Sequence, residues 1–219
     1  WWLHHALRDL AAQLDARGSR LVIRAGDSLP ELRRLIEESG ADRVIWNRRH
    51  EPLIELRDAA IKTALRDAGI LAESHNGNLL HEPARLKNST GQPFQVFTPF
   101  WKHCRANLTI GQPLPAPRRL AAPAKSPGSQ PLETLRLLPT LNWHESIQRC
   151  WDPTRAGALK RLQGFVAGAL SGYADRRDQP DLDGTSRLSP YLHFGQISPR
   201  EIWQATATSP RAGSATADK

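Results

Sequence analysis

Two hydrophobic periodicities alternate along the first hundred residues. Apolar residues at spacings of three and four predict helices over 3–14, 32–36 and 54–68. Short apolar runs between them predict buried strands at 21–23, at 44–46 and from residue 70 onward. A glycine follows each helix as a stop signal, at Gly18, Gly40 and Gly69. This order predicts an α/β domain over residues 1–104, with a doubly wound, Rossmann-like parallel sheet.

The first domain departs in two ways from a complete dinucleotide-binding fold. Its pattern opens on a helix rather than on a strand, so we expect the domain to be N-terminally incomplete. No Gly-x-Gly-x-x-Gly follows any of the predicted strands, so a dinucleotide bound at the first turn is not supported.

The pattern changes between residues 105 and 140. Seven of the chain's 17 prolines lie between Gln112 and Thr140. Proline fixes φ and removes an amide donor, so we predict an extended interdomain linker over 105–140. The alternative is a proline-rich ligand for another protein module, which the mixed composition disfavours because it lacks PxxP repeats.

After the linker only helical periodicity remains. An apolar stripe over 159–170 predicts a core helix, with Asp152-Pro153 as its cap and first turn. Further helix starts are predicted at Ser189-Pro190 and at Ser198, where Glu201 has capping-box spacing. We therefore predict that residues 141–204 begin an all-α domain. Residues 205–219 are small, polar and non-periodic, which predicts a disordered or off-frame tail.

Composition and charge narrow the class of protein. No apolar run is long enough to span a membrane, and the N-terminus lacks a signal-peptide pattern. The two cysteines are far apart and no His or Cys spacing fits a metal, so we expect no metal site and a cytoplasmic location. The net charge of +8, with most of the basic excess after residue 104, favours a polyanionic partner. A basic surface that serves solubility alone is the alternative.

The segment 184–189, Gly-Thr-Ser-Arg-Leu-Ser, has the chemistry of an anion-binding turn. Its glycine permits close backbone approach, its three hydroxyl residues supply donors, and Arg187 supplies a guanidinium fork. A helix that begins at Ser189-Pro190 would add backbone amides. The set suits a phosphate or diphosphate. The alternative is that the hydroxyls cap a helix and Arg187 pairs with a carboxylate such as Asp183.

Residues 184–195, GTSRLSPYLHFG, followed by QISPR, closely resemble the flavin-binding signature of DNA photolyases and cryptochromes. Tyr173 and the pair Arg177-Asp178 precede the signature at the family's spacing. The resemblance extends back through LNW at 141–143, VFTPFW at 96–101 and WNRRHEP at 46–52. It covers nearly all of the chain up to about residue 204. Within the family, the chain is most similar to a bacterial class I cyclobutane pyrimidine dimer photolyase.

The resemblance implies an α/β domain joined by a connector to a helical domain that holds FAD. The residues at the family's flavin-contacting positions are Tyr173, Thr185, Ser186, Arg187, Leu188 and Ser189. Arg177 matches a position that contacts DNA phosphate. A second, antenna chromophore of the folate or deazaflavin type is expected in the α/β domain.

The implied activity is that of a deoxyribodipyrimidine photo-lyase. Reduced FAD, excited by light, donates an electron to a cyclobutane pyrimidine dimer, the ring splits and the electron returns. The expected partner is damaged DNA and the expected state is a monomer. We expect the catalytic residues to lie downstream, so that the chain is inactive alone. The main alternative is a cryptochrome-type blue-light receptor without repair activity.

Overall fold

A computed structural model describes residues 1–210. The first half contains α1 (Trp2–Asp15), α2 (Ser28–Ser39), β1 (Arg43–Asn47), α3 (Pro52–Asp67), β2 (Leu71–His75) and α4 (Phe97–Asn107). The second half contains α5 (Glu145–Cys150), α6 (Arg155–Ala167), α7 (Tyr173–Arg176), α8 (Ser189–His193) and α9 (Pro199–Ala207). Short 3₁₀ turns lie at Pro83–Arg85, Leu132–Leu135, Asn142–His144 and Ala169–Gly172.

Strands β1 and β2 pair in parallel, with Arg43 opposite Leu71 at one end of the register. Helix α3 connects them, and its buried Ile61 and Leu65 pack against Ala72 of β2. Burial of the apolar face of this helix on the sheet is what stabilises a β-α-β unit. The α/β class with a parallel sheet, predicted from the periodicity, is confirmed.

The prediction of a strand at residues 21–23 is wrong. The segment joins no sheet among the described residues. Instead, the Ile23 amide donates to the Ser129 hydroxyl at 2.9 Å, and the Ile23 carbonyl accepts from the Gln130 amide at 2.9 Å. An apolar run indicates a half-buried backbone, but the backbone donors and acceptors take whichever partners the fold brings to them.

The predicted linker lies along the α/β half. The Arg17 carbonyl accepts from the Leu120 amide at 2.8 Å, and the Glu38 carboxylate accepts from the Gly128 amide at 2.9 Å. Residues 108–131 form no helix or strand, as their prolines predict. Helix α4 runs to Asn107, past the predicted start of the linker at residue 105.

The helical half has its own core, which also includes the first helix of the chain. Its buried residues are Ala158, Leu162, Leu188, Tyr191 and Ile197. Trp2 of α1 packs against this core, and its indole Nε1 donates to Gln196 Oε1 at 2.7 Å. Asp9 of α1 accepts from the Arg155 amide at 2.9 Å, at the start of α6. Helix α1 therefore joins the two halves.

Two predicted helix starts have opposite outcomes. Ser198 and Glu201 form both halves of a capping box at the start of α9, as predicted. Helix α6 is capped instead by Thr154, whose hydroxyl accepts from the Gly157 amide at 3.1 Å. The Asp152 carboxylate accepts from the Thr154 hydroxyl at 2.7 Å. The prediction of Asp152-Pro153 as cap and first turn is therefore wrong.

Helix α9 continues through Ala207, so the tail predicted from residue 205 is wrong at residues 205–207. The Thr206 hydroxyl donates back to the Ile202 carbonyl at 3.0 Å, which lets this polar residue continue the helix. Residues 211–219 of the predicted tail lie outside the described residues. Within residues 1–210, no helix combines the length and the apolar character that crossing a bilayer requires.

Candidate functional site

The segment 184–189, hereafter the signature turn, is fixed between α7 and the helical core. Gly184 is buried, and a Cβ there would lie 2.6 Å from the Arg176 carbonyl oxygen, so the close approach of α7 requires glycine. Arg187 takes a left-handed φ of 51°. Leu188 is 2% exposed within the helical core. Between and beside these two buried positions, Thr185, Arg187 and Ser189 are exposed and Ser186 is half-buried.

The signature turn forms one wall of a cavity of about 550 Å³, hereafter the α6 cavity. Thr185 and Ser186 line it from the turn. Helix α6 lines it with a face of glycines and cations, comprising Gly157, Lys160, Arg161 and Gly164, at helical spacings of three and four. Gly164 leaves room beside α6, and the cations supply positive charge.

The basic wall of this cavity was not predicted from the sequence. Arg161 lies 4.2 Å from the centre of the Trp151 ring and donates to the Cys150 carbonyl at 3.1 Å, so its guanidinium is held in place. The Lys160 side chain is exposed and forms no ion pair within the part of the chain that the structure describes. The helical spacing of the glycines around these cations is the signal that could have identified this face.

Arg187 lies outside the cavity lining, and its guanidinium pairs with Asp183 at 3.0 Å. Both side chains are half-exposed or more, so the pair is screened by solvent. This is the contact that the alternative interpretation of the turn predicts. Ser189 is exposed at the start of α8, a helix of five residues. So short a helix contributes little dipole, and the amides expected from it are a minor source of anion affinity.

Tyr173 and Arg177 lie together beside the turn. The Tyr173 ring meets the Phe165 ring edge-on at 5.7 Å, and Phe165 lines the α6 cavity. The Arg177 guanidinium lies 5.9 Å from the centre of the Tyr173 ring and 3.5 Å from the Asp178 carboxylate. Tyr173 is 37% exposed and is absent from the described lining of the cavity. It therefore contributes a separate exposed aromatic surface next to the cavity.

The base of the α6 cavity is closely packed. Tyr191 is fully buried, and its hydroxyl donates to the Asp152 carbonyl at 2.7 Å. Burial raises the pKa of the Tyr191 phenol above its ordinary value, so the hydroxyl remains a donor at neutral pH. A Cβ at Gly157 would lie 2.3 Å from the same carbonyl, so glycine permits this close packing.

The residues around the α6 cavity fit the diphosphate of a flavin dinucleotide. The hydroxyls of Thr185 and Ser186 and the cations Lys160 and Arg161 are the donor types that phosphate oxygens require. The two carboxylates on the lining are engaged elsewhere, Asp152 by Thr154 and Asp183 by Arg187. Among the described residues, no group of three or more His, Cys, Asp or Glu side chains could hold a metal ion.

Comparison with known sequences points to one family. A sequence model described as DNA photolyase matches residues 1–118. The chain is 44% identical over 207 residues to a deoxyribodipyrimidine photo-lyase of Agrobacterium fabrum, and the match covers 94% of this chain and 43% of that protein. It is 33% identical over 210 residues to cryptochrome-2 of Arabidopsis thaliana, with coverage of 93% and 34%. The chain therefore spans less than half the length of these two relatives.

Solved structures give the same result. The fold matches a bacterial class III photolyase from Agrobacterium tumefaciens with a TM-score of 0.91 and 44% identity, over 95% of this chain and 43% of that one. A cryptochrome from Synechocystis shares the fold, with a TM-score of 0.79 at 21% identity, over 100% of this chain and 46% of that one. The class I assignment stays a prediction, because the first of these structures is of class III. With its first 118 residues matching the family's sequence model and most of its length matching a photo-lyase at 44% identity, the chain belongs to the DNA photolyase family.

Proposed function

We propose that the protein containing this chain is a deoxyribodipyrimidine photo-lyase that repairs cyclobutane pyrimidine dimers in DNA, with FAD as its cofactor. The observation that carries the proposal is the signature turn, which presents Thr185 and Ser186 to a cavity with a basic wall. The similarity to photo-lyases over most of the chain supports the reaction class. The proposal concerns the whole protein, of which this chain supplies the phosphate-binding part.

When bound, excited reduced FAD supplies the electron that opens the cyclobutane ring of the lesion and that returns once the ring has split. The residues of this chain bind and orient the cofactor. In the proposal, Thr185 and Ser186 donate hydroxyl hydrogen bonds to phosphate oxygens, and Leu188 anchors the turn in the core. Tyr173 and Ser189 contact the nucleotide from their exposed positions, and Arg187 offers its guanidinium as an alternative to its pair with Asp183.

Damaged DNA is the proposed substrate. Arg177 is 54% exposed, and Arg176 next to it is exposed as well, so both cations are accessible to a phosphate backbone. The excess of basic residues in the whole chain favours the same partner. The dimer must leave the base stack to reach a cofactor inside the protein, so these cations serve to position the strand.

The repair proposal is tested with the whole flavin-loaded protein and a DNA oligonucleotide that carries one thymine cyclobutane dimer. We expect blue light to restore two intact thymines, measured by chromatography after digestion, and a dark control to restore none. A flavin-loaded protein that binds the oligonucleotide and restores no thymine under light would contradict the proposal. Such a result would support the cryptochrome alternative, which the similarity to Arabidopsis cryptochrome-2 favours.

The role of Arg187 is tested separately by flavin affinity. We expect Arg187→Ala to weaken FAD binding by about 1.5–3 kcal/mol, the scale of a lost hydrogen bond to a charged group. Asp183→Asn is the matched control, because it removes the partner of Arg187 and keeps the guanidinium. In that variant we expect unchanged or tighter FAD binding. Equal losses in both variants would mean that the ion pair is what matters, and would contradict a flavin contact by Arg187.

The α/β half offers a place for an antenna chromophore. A cavity of about 590 Å³ lies against β1 and α2, with Trp46 and Ile45 beside Arg57 on its lining. Its size and its mixed apolar and basic lining suit a planar pigment of the folate or deazaflavin type. We propose this cavity as its site, and a monomeric, cytoplasmic protein. A Trp46→Ala variant that retains as much pigment as the unmodified protein would contradict the assignment.

A further inference from the structure

A third cavity, of about 610 Å³, lies where β1 and β2 end. Strand β2 lines it with Ser74 and His75, and the loops after the two strands line it with Arg48, His81, Glu82 and Arg85. The linker adds Thr109 and Gly111, and α9 adds Arg200. The carboxyl ends of parallel strands are where open α/β sheets bind their ligands. This sheet-edge cavity shares no lining residue with the α6 cavity or with the cavity proposed for the antenna pigment.

The first arginine of the sheet-edge cavity already has partners within the protein. Arg48 pairs with Glu82 at 2.6 Å and donates to the Ser74 carbonyl at 2.8 Å. Glu82 is the one carboxylate on the described lining of this cavity. The Glu82 carboxylate is therefore paired with Arg48 and does not neutralise the other two arginines.

Those two arginines have no side-chain partners among the described residues. The Arg200 Nε is buried and has no hydrogen-bond partner, and its guanidinium forms no ion pair within residues 1–210. The Arg85 side chain is likewise without a hydrogen bond or ion pair in the described chain. A buried guanidinium nitrogen without an acceptor is unfavourable, because it has lost water and gained nothing in return. Arg85 is exposed, so this cost applies to Arg200 alone; its buried Nε, beside Arg85 on the lining of one concave site, indicates an acceptor that comes from outside the chain.

We propose that the sheet-edge cavity binds a small phosphate-bearing molecule between Arg85 and Arg200. The lining carries three guanidinium groups and one carboxylate, and the resulting excess of two positive charges matches a dianion. Each planar guanidinium group can donate two hydrogen bonds to a pair of phosphate oxygens. A single carboxylate or a chloride ion offers fewer acceptor oxygens to two such groups. The volume exceeds that of inorganic phosphate and lies within the range of small-molecule sites, so the phosphate carries an organic group.

The proposal is tested by isothermal titration of the 219-residue chain with sodium pyrophosphate at an ionic strength of about 0.15 M. We expect a saturable site whose affinity falls at least about tenfold in the Arg85→Gln/Arg200→Gln double variant, the scale of one lost charged hydrogen bond. The matched control is Arg118→Gln/Arg119→Gln, which removes the same charge from exposed connector positions without described side-chain partners. We expect this control to bind within about twofold of the unmodified chain, since distant exposed charges are screened.

Two single variants test whether the anion occupies the sheet-edge cavity and whether Arg200 binds it. Lys160→Gln removes a cation from the lining of the α6 cavity and so separates the two sites: a loss of pyrophosphate affinity as large as in the Arg85→Gln/Arg200→Gln variant would assign the anion to the α6 cavity and overturn the proposal. Without ligand, Arg200→Gln should melt no lower than the unmodified chain, because its buried Nε has no bond to lose. A lower melting temperature together with unchanged pyrophosphate affinity would make Arg200 structural and would also overturn it.

The source of the phosphate is settled by competition. A short single-stranded DNA that displaces pyrophosphate from the unmodified chain, and not from the double variant, would assign the cavity to the DNA backbone and overturn the small-molecule proposal. We expect a phosphorylated sugar to compete and the DNA not to. Absence of any pyrophosphate binding at millimolar concentration would also reject the site.

Discussion

Replacing Tyr191 by phenylalanine removes a single oxygen atom beneath the signature turn. The side chain is fully buried, and its hydroxyl donates to the Asp152 carbonyl at 2.7 Å. Its ring centre lies 5.0 Å from that of Trp2 and 6.2 Å from that of Trp151. A phenyl ring keeps these aromatic contacts, so the variant removes only the interactions of the hydroxyl, which are the bond to Asp152 and a contact with Arg161.

The expected cost follows from the surroundings of the acceptor. A Cβ at Gly157 would lie 2.3 Å from the Asp152 carbonyl oxygen, so that side of the oxygen is closed by protein. A typical hydrogen bond contributes about 1 kcal/mol net, and a buried acceptor left unpaired costs about 1–3 kcal/mol. We expect Tyr191→Phe to lower the free energy of unfolding by roughly 2 kcal/mol.

The measurement is urea unfolding followed by tryptophan fluorescence and circular dichroism. If the midpoint urea concentration falls while the slope of the unfolding free energy against urea concentration is unchanged, the variant has changed the stability and not the surface exposed on unfolding. The chain has one other tyrosine, Tyr173, which is 37% exposed and whose hydroxyl forms no described hydrogen bond. Tyr173→Phe is therefore the matched control and should be neutral. A loss in Tyr191→Phe as small as in the control would refute the reasoning.

Three further predictions concern the turn, the interhelical ion pair and the DNA surface. Gly184→Ala should destabilise the chain by about 1–3 kcal/mol, because its Cβ would lie 2.6 Å from the Arg176 carbonyl. Gly164→Ala has open space around its Cβ and should be neutral or stabilising in the same urea assay. Burial raises the pKa of the Glu201 carboxyl, but hydrogen bonds from Arg155 and Ser198 outweigh it and hold that pKa below 4.5. The ionised Glu201 carboxylate thus stabilises the fold above pH 4.5, and this contribution is lost as the pH falls below that value. The melting temperature of Glu201→Gln should therefore depend less on pH below 4.5 than that of the unmodified chain. The same pH dependence in both proteins would contradict this. Arg177→Ala should weaken DNA binding without sequence preference and reduce the salt slope by about 1, and an unchanged slope would exclude a phosphate contact.

The predictions that succeeded rest on interactions between residues close in sequence. Gly40 ends α2 because a left-handed φ of 69° is accessible to glycine. Ser198 and Glu201 cap α9 across three positions, so spacing alone identifies the motif. The apolar periodicity predicted α3 and its two neighbouring strands for the same reason. The family signature at 184–195 predicted a flavin site, and this site and the roles of its individual residues stay predictions.

The sequence by itself determined the α/β-then-helical order, the helix stops and the position of the signature turn, because these depend on periodicity and on neighbours a few residues apart. Only the tertiary structure decided the partners of distant residues. It left residues 21–23 bonded to the connector rather than to a sheet, placed α1 against the helical core, and gave the turn a basic wall from α6. It also left the Arg200 Nε at the sheet edge without a partner in the described part of the chain. These outcomes depend on which groups meet after the chain has folded, and local spacing carries no record of such long-range contacts.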